Sequence, residues 1–274
     1  MTNPAQRRLT MLVAGVCALA SLTAGAMVAT SASADSGAGA GVGGVSVGVR
    51  PAKPLTGVVI ALDPGHQLGN SNPAFATELS QTRWNGTIVK GCNTTGTATD
   101  GGYPEATFNW HVALKVRRTL TDLGATVHMT RSVNSWNAWG PCTWDRGKFG
   151  ASVGADFMVS LHADGAIPSG HGFFIIAPAV TKGWTDDIAT ESRRLARAMI
   201  AGMTKAGATP STYISGATLV WNDQNTLNFA DVPTVIVEQG NMRNAGDAAR
   251  MTSRAGRDEH ARWIVAGIRR YLHR

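Results

Sequence analysis

Charge and cysteine are the scarcest things in this 274-residue chain. Asp, Glu, Lys and Arg make up only 16% of the residues, and there are three cysteines, Cys17, Cys92 and Cys142. No internal repeat is present, which excludes a repeat architecture and a wall-binding repeat array. No His-Glu-x-x-His segment occurs, so a pair of metal-binding histidines cannot come from one helix of that type. The formal charge of +7 invites a nucleic-acid reading, but no recognised nucleic-acid motif organises the cations. No acylation signal points to a permanent membrane anchor. What is present is a hydrophobic fraction of 43%, near the globular average. That fraction excludes a mostly disordered chain and supports a substantial core.

Residues 1–34 read as a cleavable secretion signal. Arg7 and Arg8 give the positive start, Met11 to Val28 the apolar run, and Ala32-Ser33-Ala34 a small-residue cleavage site before Asp35. The run is built from Ala, Gly, Ser and Thr rather than Leu or Ile, which separates it from a membrane anchor. Val16 is too large for a lipoprotein cleavage site before Cys17, so Cys17 is expected to leave with the signal. Removing residues 1–34 lowers the formal charge from +7 to +5 and leaves Cys92 and Cys142. An even pair in an exported chain predicts a disulfide closing a loop of about 50 residues. The expected location is therefore outside the cytoplasm, secreted to the periplasm or cell wall, where a modest positive charge favours an anionic matrix.

Residues 35–56 are Gly/Ala-rich with two prolines and read as a flexible linker. Gly39-x-Gly41-x-x-Gly44 formally matches a dinucleotide fingerprint, but no strand precedes it and no helix follows, so the match is compositional. From Gly57 to Arg274 the texture changes. Apolar β-branched runs (Val58 to Leu62, Thr126 to Thr130, Phe157 to Leu161, Gly172 to Ala177, Val235 to Val237) alternate with helical patterns. The helices are expected over Glu105 to Leu123, Asp145 to Val153, Asp186 to Lys205 and Arg254 to Leu272. This alternation predicts one α/β domain over 57–274: a mixed, mostly parallel central sheet with helices on both faces.

Three apolar strands end in groups able to do chemistry. Leu62 leads to His66, Leu161 to His162, and Val237 to Glu238. Ligands in open α/β sheets bind beyond the carboxyl ends of the strands, so these side chains are candidates to converge. A carboxylate directly after Val235-Ile236-Val237 is costly to bury unless a partner or cation lies near it. Two histidines, a carboxylate and an open position for water form a catalytic zinc set, with a further carboxylate to carry the proton. On residue types alone, His66 is equally a turn histidine and His162 a satisfied core histidine. An acid at Glu105 equally complements a helix dipole. Glu78 and Asp100 are rival carboxylates, Asp63 is a support for the loop that presents His66, and His171 is a weak substrate contact. Gly150-Ala151-Ser152-Val153-Gly154 matches a serine-hydrolase elbow, but the helix precedes it and the strand follows, the wrong order.

Four segments together carry a family resemblance. Asp63-Pro64-Gly65-His66, the glutamate of Tyr103-Pro104-Glu105, Ser160-Leu161-His162-Ala163-Asp164, and Val235-Ile236-Val237-Glu238-Gln239-Gly240-Asn241 resemble, in order, the motifs of zinc-dependent N-acetylmuramoyl-L-alanine amidases, above all single-domain actinobacterial members. The resemblance implies that His66, Glu105 and His162 hold one Zn2+ and that Glu238 is the general base and then acid. It implies hydrolysis of the amide between N-acetylmuramic acid and the stem-peptide L-alanine by a zinc-activated water, with peptidoglycan or a muropeptide as substrate. A monomer is expected. Two other functions compete: a zinc peptidase cutting stem peptides, and a wall-binding module that has lost catalysis. The chain departs from the family pattern around Gly91 to Gly102 and Ser135 to Trp144, where Cys92, Cys142, Trp136, Trp139 and Trp144 gather, and near Trp221.

Overall fold

The structure is a computed structural model and describes residues 52–274. The expected signal, the glycine fingerprint and the linker up to residue 51 lie outside the described residues. The chain order is β1 (Val59–Pro64), a short helix α1 (Ala76–Leu79), a hairpin of β2 (Thr82–Trp84) and β3 (Val89–Gly91), α2 (Glu105–Asp122), β4 (Thr126–Met129), α3 (Thr143–Ser152) and β5 (Phe157–Asp164). It continues with β6 (Phe174–Pro178), α4 (Ala189–Lys205), β7 (Thr218–Trp221), α5 (Asn225–Asn228), β8 (Thr234–Asn241), α6 (Ala245–Thr252) and α7 (Arg254–Tyr271).

Six strands form one sheet in the order β4-β1-β5-β8-β6-β7. The first four are parallel; β6 runs antiparallel to β8, and β7 lies parallel to β6. The expected mixed, mostly parallel sheet is what forms. Its pleat sorts the apolar runs onto two faces, because successive side chains of a strand point oppositely. Ile60, Leu62, Val159, Leu161, Val235 and Val237 pack with Val112 and Val116 of α2, Leu195 and Met199 of α4, and Ile264 and Ile268 of α7 in the main core. The alternate residues face the other way. Met158 and Ala61 meet the Phe149 side of α3, while Ile176 and Ile236 meet Leu227 of α5. Covered on both sides, β5 and β8 read as unbroken apolar runs. Among the described residues, the helices over the second face are α3 and the single turn α5, and a pocket lies beside them.

The domain begins slightly before Gly57. Leu55 is fully buried and its backbone N–H donates to Leu123 O at 2.9 Å, so the last residues of the expected linker pack onto the end of α2. No helix among the described residues is long and apolar enough to cross a membrane.

Cys92 and Cys142 are joined in a disulfide spanning 50 residues, with both sulfurs buried against Trp144. It ties the end of the β2–β3 hairpin to the start of α3. The chain-entropy account gives about 4 kcal/mol for a loop of this size. Urea unfolding of the Cys92→Ser/Cys142→Ser double variant is expected to show a loss of that order; a loss below about 1 kcal/mol would mean that the packing around Trp144 holds the loop without the bond.

Candidate metal centre

The loop leaving β1 sets the geometry. Gly65 N–H donates to Leu161 O at 2.9 Å, which keeps the loop against β5 as β1 ends. A Cβ at Gly65 would lie 2.3 Å from the His162 ring, so glycine is what lets the two segments approach. The next residue, His66, has φ of 58°, the left-handed region that non-glycine residues rarely enter. Strain of this kind collects at functional sites, where surrounding structure enforces it.

His66 is oriented from the side of the disulfide-linked loop. Its Nδ1 lies 2.9 Å from Thr94 O, so Nδ1 carries the proton and donates to that carbonyl. The Nε2 lone pair then faces Glu105 Oε2 at 3.2 Å. Glu105 opens α2 and is pinned by donors: Ala163 N (3.1 Å) and Asn109 Nδ2 (3.1 Å) on Oε1, and Thr97 N (2.9 Å) on Oε2. His162 Nδ1 lies 3.0 Å from Glu105 Oε1. The ligand atoms of His66, Glu105 and His162 all fall within 4.8 Å of one another.

Electrostatics bear on what this set can hold. Burial pushes the Glu105 carboxyl up, but His66 and His162 outweigh it and hold the group well below the usual carboxylate range. Burial pushes His66 down, yet Glu105 more than reverses this and raises it. A lone pair facing a carboxylate oxygen requires a positive charge between them, a proton or a divalent cation. Two imidazoles and a carboxylate with a hydrogen-bonded surround form a donor set suited to a borderline-soft cation.

Glu238 stands beside this cluster. It is paired in register with His162 across β5 and β8, so the two side chains leave the same face of the sheet. Its Oε2 is buried and meets no hydrogen-bond donor among the described residues. Burial, then the nearby charges of Glu105 and Asp164, push its pKa well above the usual range. His66, His162 and Glu238 line one pocket of about 300 Å³, floored by Ile176 and Ile236 and walled by Lys90, Asn225 and Thr226. A larger open hollow of about 530 Å³ lies at the far ends of α4 and α7 among Lys205, Arg269, Arg270 and His273. No Asp or Glu lines it, so chemistry rather than volume marks the site.

Beneath the cluster is a support the sequence did not reveal. Asp63 is fully buried, as its expected structural role requires, and accepts from Arg146 Nη1, Thr130 Oγ1 and Ser160 Oγ, each at 2.6 Å. Arg146 also donates to Pro64 O and His66 O, and Arg131 donates to Pro64 O and Ala106 O. Two guanidiniums thus bracket the loop that carries His66. Their signal in the sequence was only that Arg146 sits inside the second predicted helix and Arg131 just after a strand.

The remaining candidates fall away from the pocket. Asp100 pairs with Arg243, and neither it nor Glu78 joins the His66 cluster. His171 does not line the pocket; its backbone pairs with Thr212. Trp136 and Trp139 are 50% and 36% exposed and also lie off its walls, whereas Trp144 is buried under the disulfide. His260 is buried edge-on to Phe108 and Trp263, and burial, with the charge of Arg250, lowers its pKa to about 3. Ser152 ends α3 and donates to Phe149 O, in keeping with rejection of the serine elbow.

Comparison with known proteins adds a separate line. A sequence model of the N-acetylmuramoyl-L-alanine amidase family matches residues 60–270. The N-acetylmuramoyl-L-alanine amidase Rv3717 of Mycobacterium tuberculosis is 35% identical over 228 residues, spanning 83% of this chain and 91% of that protein. Among solved structures, the N-acetylmuramyl-L-alanine amidase Ami1 of Mycobacterium smegmatis superposes with a TM-score of 0.73 at 36% identity, covering 80% of this chain and 98% of the other. Ami1 of Mycobacterium abscessus gives 0.72 at 39% identity, covering 80% and 100%.

Proposed function

The chain belongs to the N-acetylmuramoyl-L-alanine amidase family, and from that membership we propose that it is a zinc hydrolase cutting the amide between N-acetylmuramic acid and the stem-peptide L-alanine. Peptidoglycan, or a muropeptide derived from it, is the substrate. The observation that carries the zinc reading is the Nε2 lone pair of His66 aimed at Glu105 Oε2 at 3.2 Å, with His162 completing the set. His66, Glu105 and His162 would hold one Zn2+, which when bound supplies Lewis-acid polarisation of the carbonyl and an acidified water.

The protein's own groups do the rest. Thr94 O fixes the His66 tautomer, and Ala163 N, Asn109 and Thr97 N hold the Glu105 carboxylate in place. Glu238, lacking a donor on Oε2 and raised in pKa by burial and neighbouring carboxylates, is the group that takes a proton from water and returns it to the leaving nitrogen. Ile176 and Ile236 give the pocket beside it an apolar lining. We further propose that residues 1–34 are removed on export and that the protein acts on the wall as a monomer.

Two measurements test this. The wild type is expected to hold one zinc per chain by elemental analysis, and His66→Ala to hold at most about a tenth of that, as loss of a direct ligand should cause. Digestion of muropeptides is expected to release intact stem peptides with a free L-alanine amino group. Cuts between amino acids alone would move the assignment to a stem peptidase; zinc binding with no cut at all would move it to a binding module.

A further inference from the structure

Gln239, the residue after Glu238 on β8, has no part in the chemistry above. Successive strand side chains point to opposite faces, so Gln239 turns away from the pocket towards α2 and α7. It is 2% exposed. Its Nε2 donates to His162 O at 3.2 Å and to Asn109 Oδ1 at 3.4 Å. Asn109 in turn donates to Glu105 Oε1 at 3.1 Å. One amide therefore touches the backbone of one ligand residue and the side chain that holds another.

The other end of that amide needs a partner. Gln239 Oε1 and His260 Nε2 are both buried and meet no hydrogen-bond partner among the described residues. Burying either without one is costly. Both residues line one small cavity of about 10 Å³, close to the space that a single water needs. Asp247 and Arg250 also line it and bring charges of opposite sign 3.6 Å apart. Burial and the charge of Arg250 lower the His260 pKa to about 3, so the ring is neutral, with one nitrogen donating and the other accepting. A cavity of this size and charge balance suits a neutral molecule that both donates and accepts.

We infer that Gln239 is a positioning residue for the metal centre, and that one internal water shared with His260 holds its amide in place. The inference rests on the zinc reading of His66, Glu105 and His162. The water donates to Gln239 Oε1 and meets His260 Nε2 as donor or acceptor, according to the tautomer. With Oε1 fixed, Nε2 is turned towards His162 O and Asn109 Oδ1, which leaves Asn109 Nδ2 free to hold Glu105. His260 thus acts on the centre from α7, through the water and Gln239.

Chelator competition measures zinc affinity without reference to hydrolysis, on variants whose thermal melts show them folded. Gln239→Leu is expected to weaken zinc binding roughly 10- to 100-fold, the usual effect of losing a group that orients ligands. His260→Phe removes the water's other partner and is expected to weaken it about three- to tenfold, the net worth of one hydrogen bond. His260→Gln, whose amide nitrogen can stand where Nε2 stood, is expected to restore the wild-type affinity. A crystal structure of the zinc-loaded protein is expected to show one water within about 3.2 Å of both Gln239 Oε1 and His260 Nε2. Wild-type affinity in Gln239→Leu, or a cavity holding a cation or nothing, would overturn the inference. Should Gln239→Leu not fold, equal affinities in the two His260 variants would overturn it. Failure of the wild type to bind zinc would overturn the metal reading instead, and the crystal structure still decides the water.

Discussion

Glu238→Gln is expected to lower kcat by about two to four orders of magnitude while leaving zinc stoichiometry at the wild-type level. That range is what a positioned general base contributes to a proton transfer. The amide keeps the shape of the side chain, and Glu238 is not among the three clustered ligand groups, so the metal set stays whole. Stability should move the other way. The carboxylate is buried, its Oε2 has no donor, and Glu105 and Asp164 repel it. Removing that charge relieves an unfavourable burial, so melting temperature is expected to hold or rise as activity falls, the trade-off common at active sites. Steady-state hydrolysis, elemental analysis and thermal melts on one preparation check all three. A normal rate would remove Glu238 from the mechanism, and loss of zinc would make it a ligand.

Asp63→Asn should cost the fold about 3–5 kcal/mol, the usual penalty for breaking a buried ion pair from one side. Arg146 and Asp63 are 1% and 0% exposed, and Arg131 lies close enough that burial and Arg146 lower its pKa to about 9, with Asp63 opposing. Asp63 pairs directly with Arg146 and its charge also favours that of Arg131, so losing it leaves Arg146 without its partner and Arg131 without that support. The ionisation can be followed by pH as well. Burial raises the Asp63 pKa, but Arg146, Ser160 and Thr130 overcome it and bring the group from 3.8 to about 2. A carboxyl depressed in the folded state contributes stability that is complete above 3.8 and disappears as pH falls towards 2. The shift corresponds to about 2 kcal/mol. Urea unfolding between pH 5 and pH 2 should therefore fall more steeply for the wild type than for Asp63→Asn. Parallel curves, or a loss at pH 7 under about 1 kcal/mol, would show that hydrogen bonds rather than charge hold this loop.

The sheet and the cluster were legible for different reasons. The strands β1, β5 and β8 announce themselves as apolar runs closed by His66, His162 and Glu238, because a doubly covered strand cannot afford polar residues until it reaches the edge. Glu105 was not legible from spacing, since an acid at a helix start has an ordinary role there; the family motifs singled it out. The hairpin of β2 and β3 and the edge strand β7 went unread. Their exposed residues, Trp84, Val89, Val220 and Trp221 among them, follow no inward and outward alternation. The Arg131 and Arg146 bracket was also invisible, because nothing in a linear sequence distinguishes a buried arginine from a solvated one. Element ends differed by a few residues where caps, not periodicity, decide them: α4 starts at Ala189 rather than Asp186.

The position of β8 bears on when the enzyme becomes able to cut. It is the last strand in the chain but lies between β5 and β6, so until it arrives the sheet exists as two unjoined halves, β4-β1-β5 and β6-β7. The three clustered ligand groups belong to the first half and its helix, whereas Glu238 comes with the strand that joins the halves. A chain emerging amino end first can therefore bring His66, Glu105 and His162 together early, yet gains Glu238 only when most of it is out. The order of the strands in the chain thus sets the order in which the two parts of the site can come together.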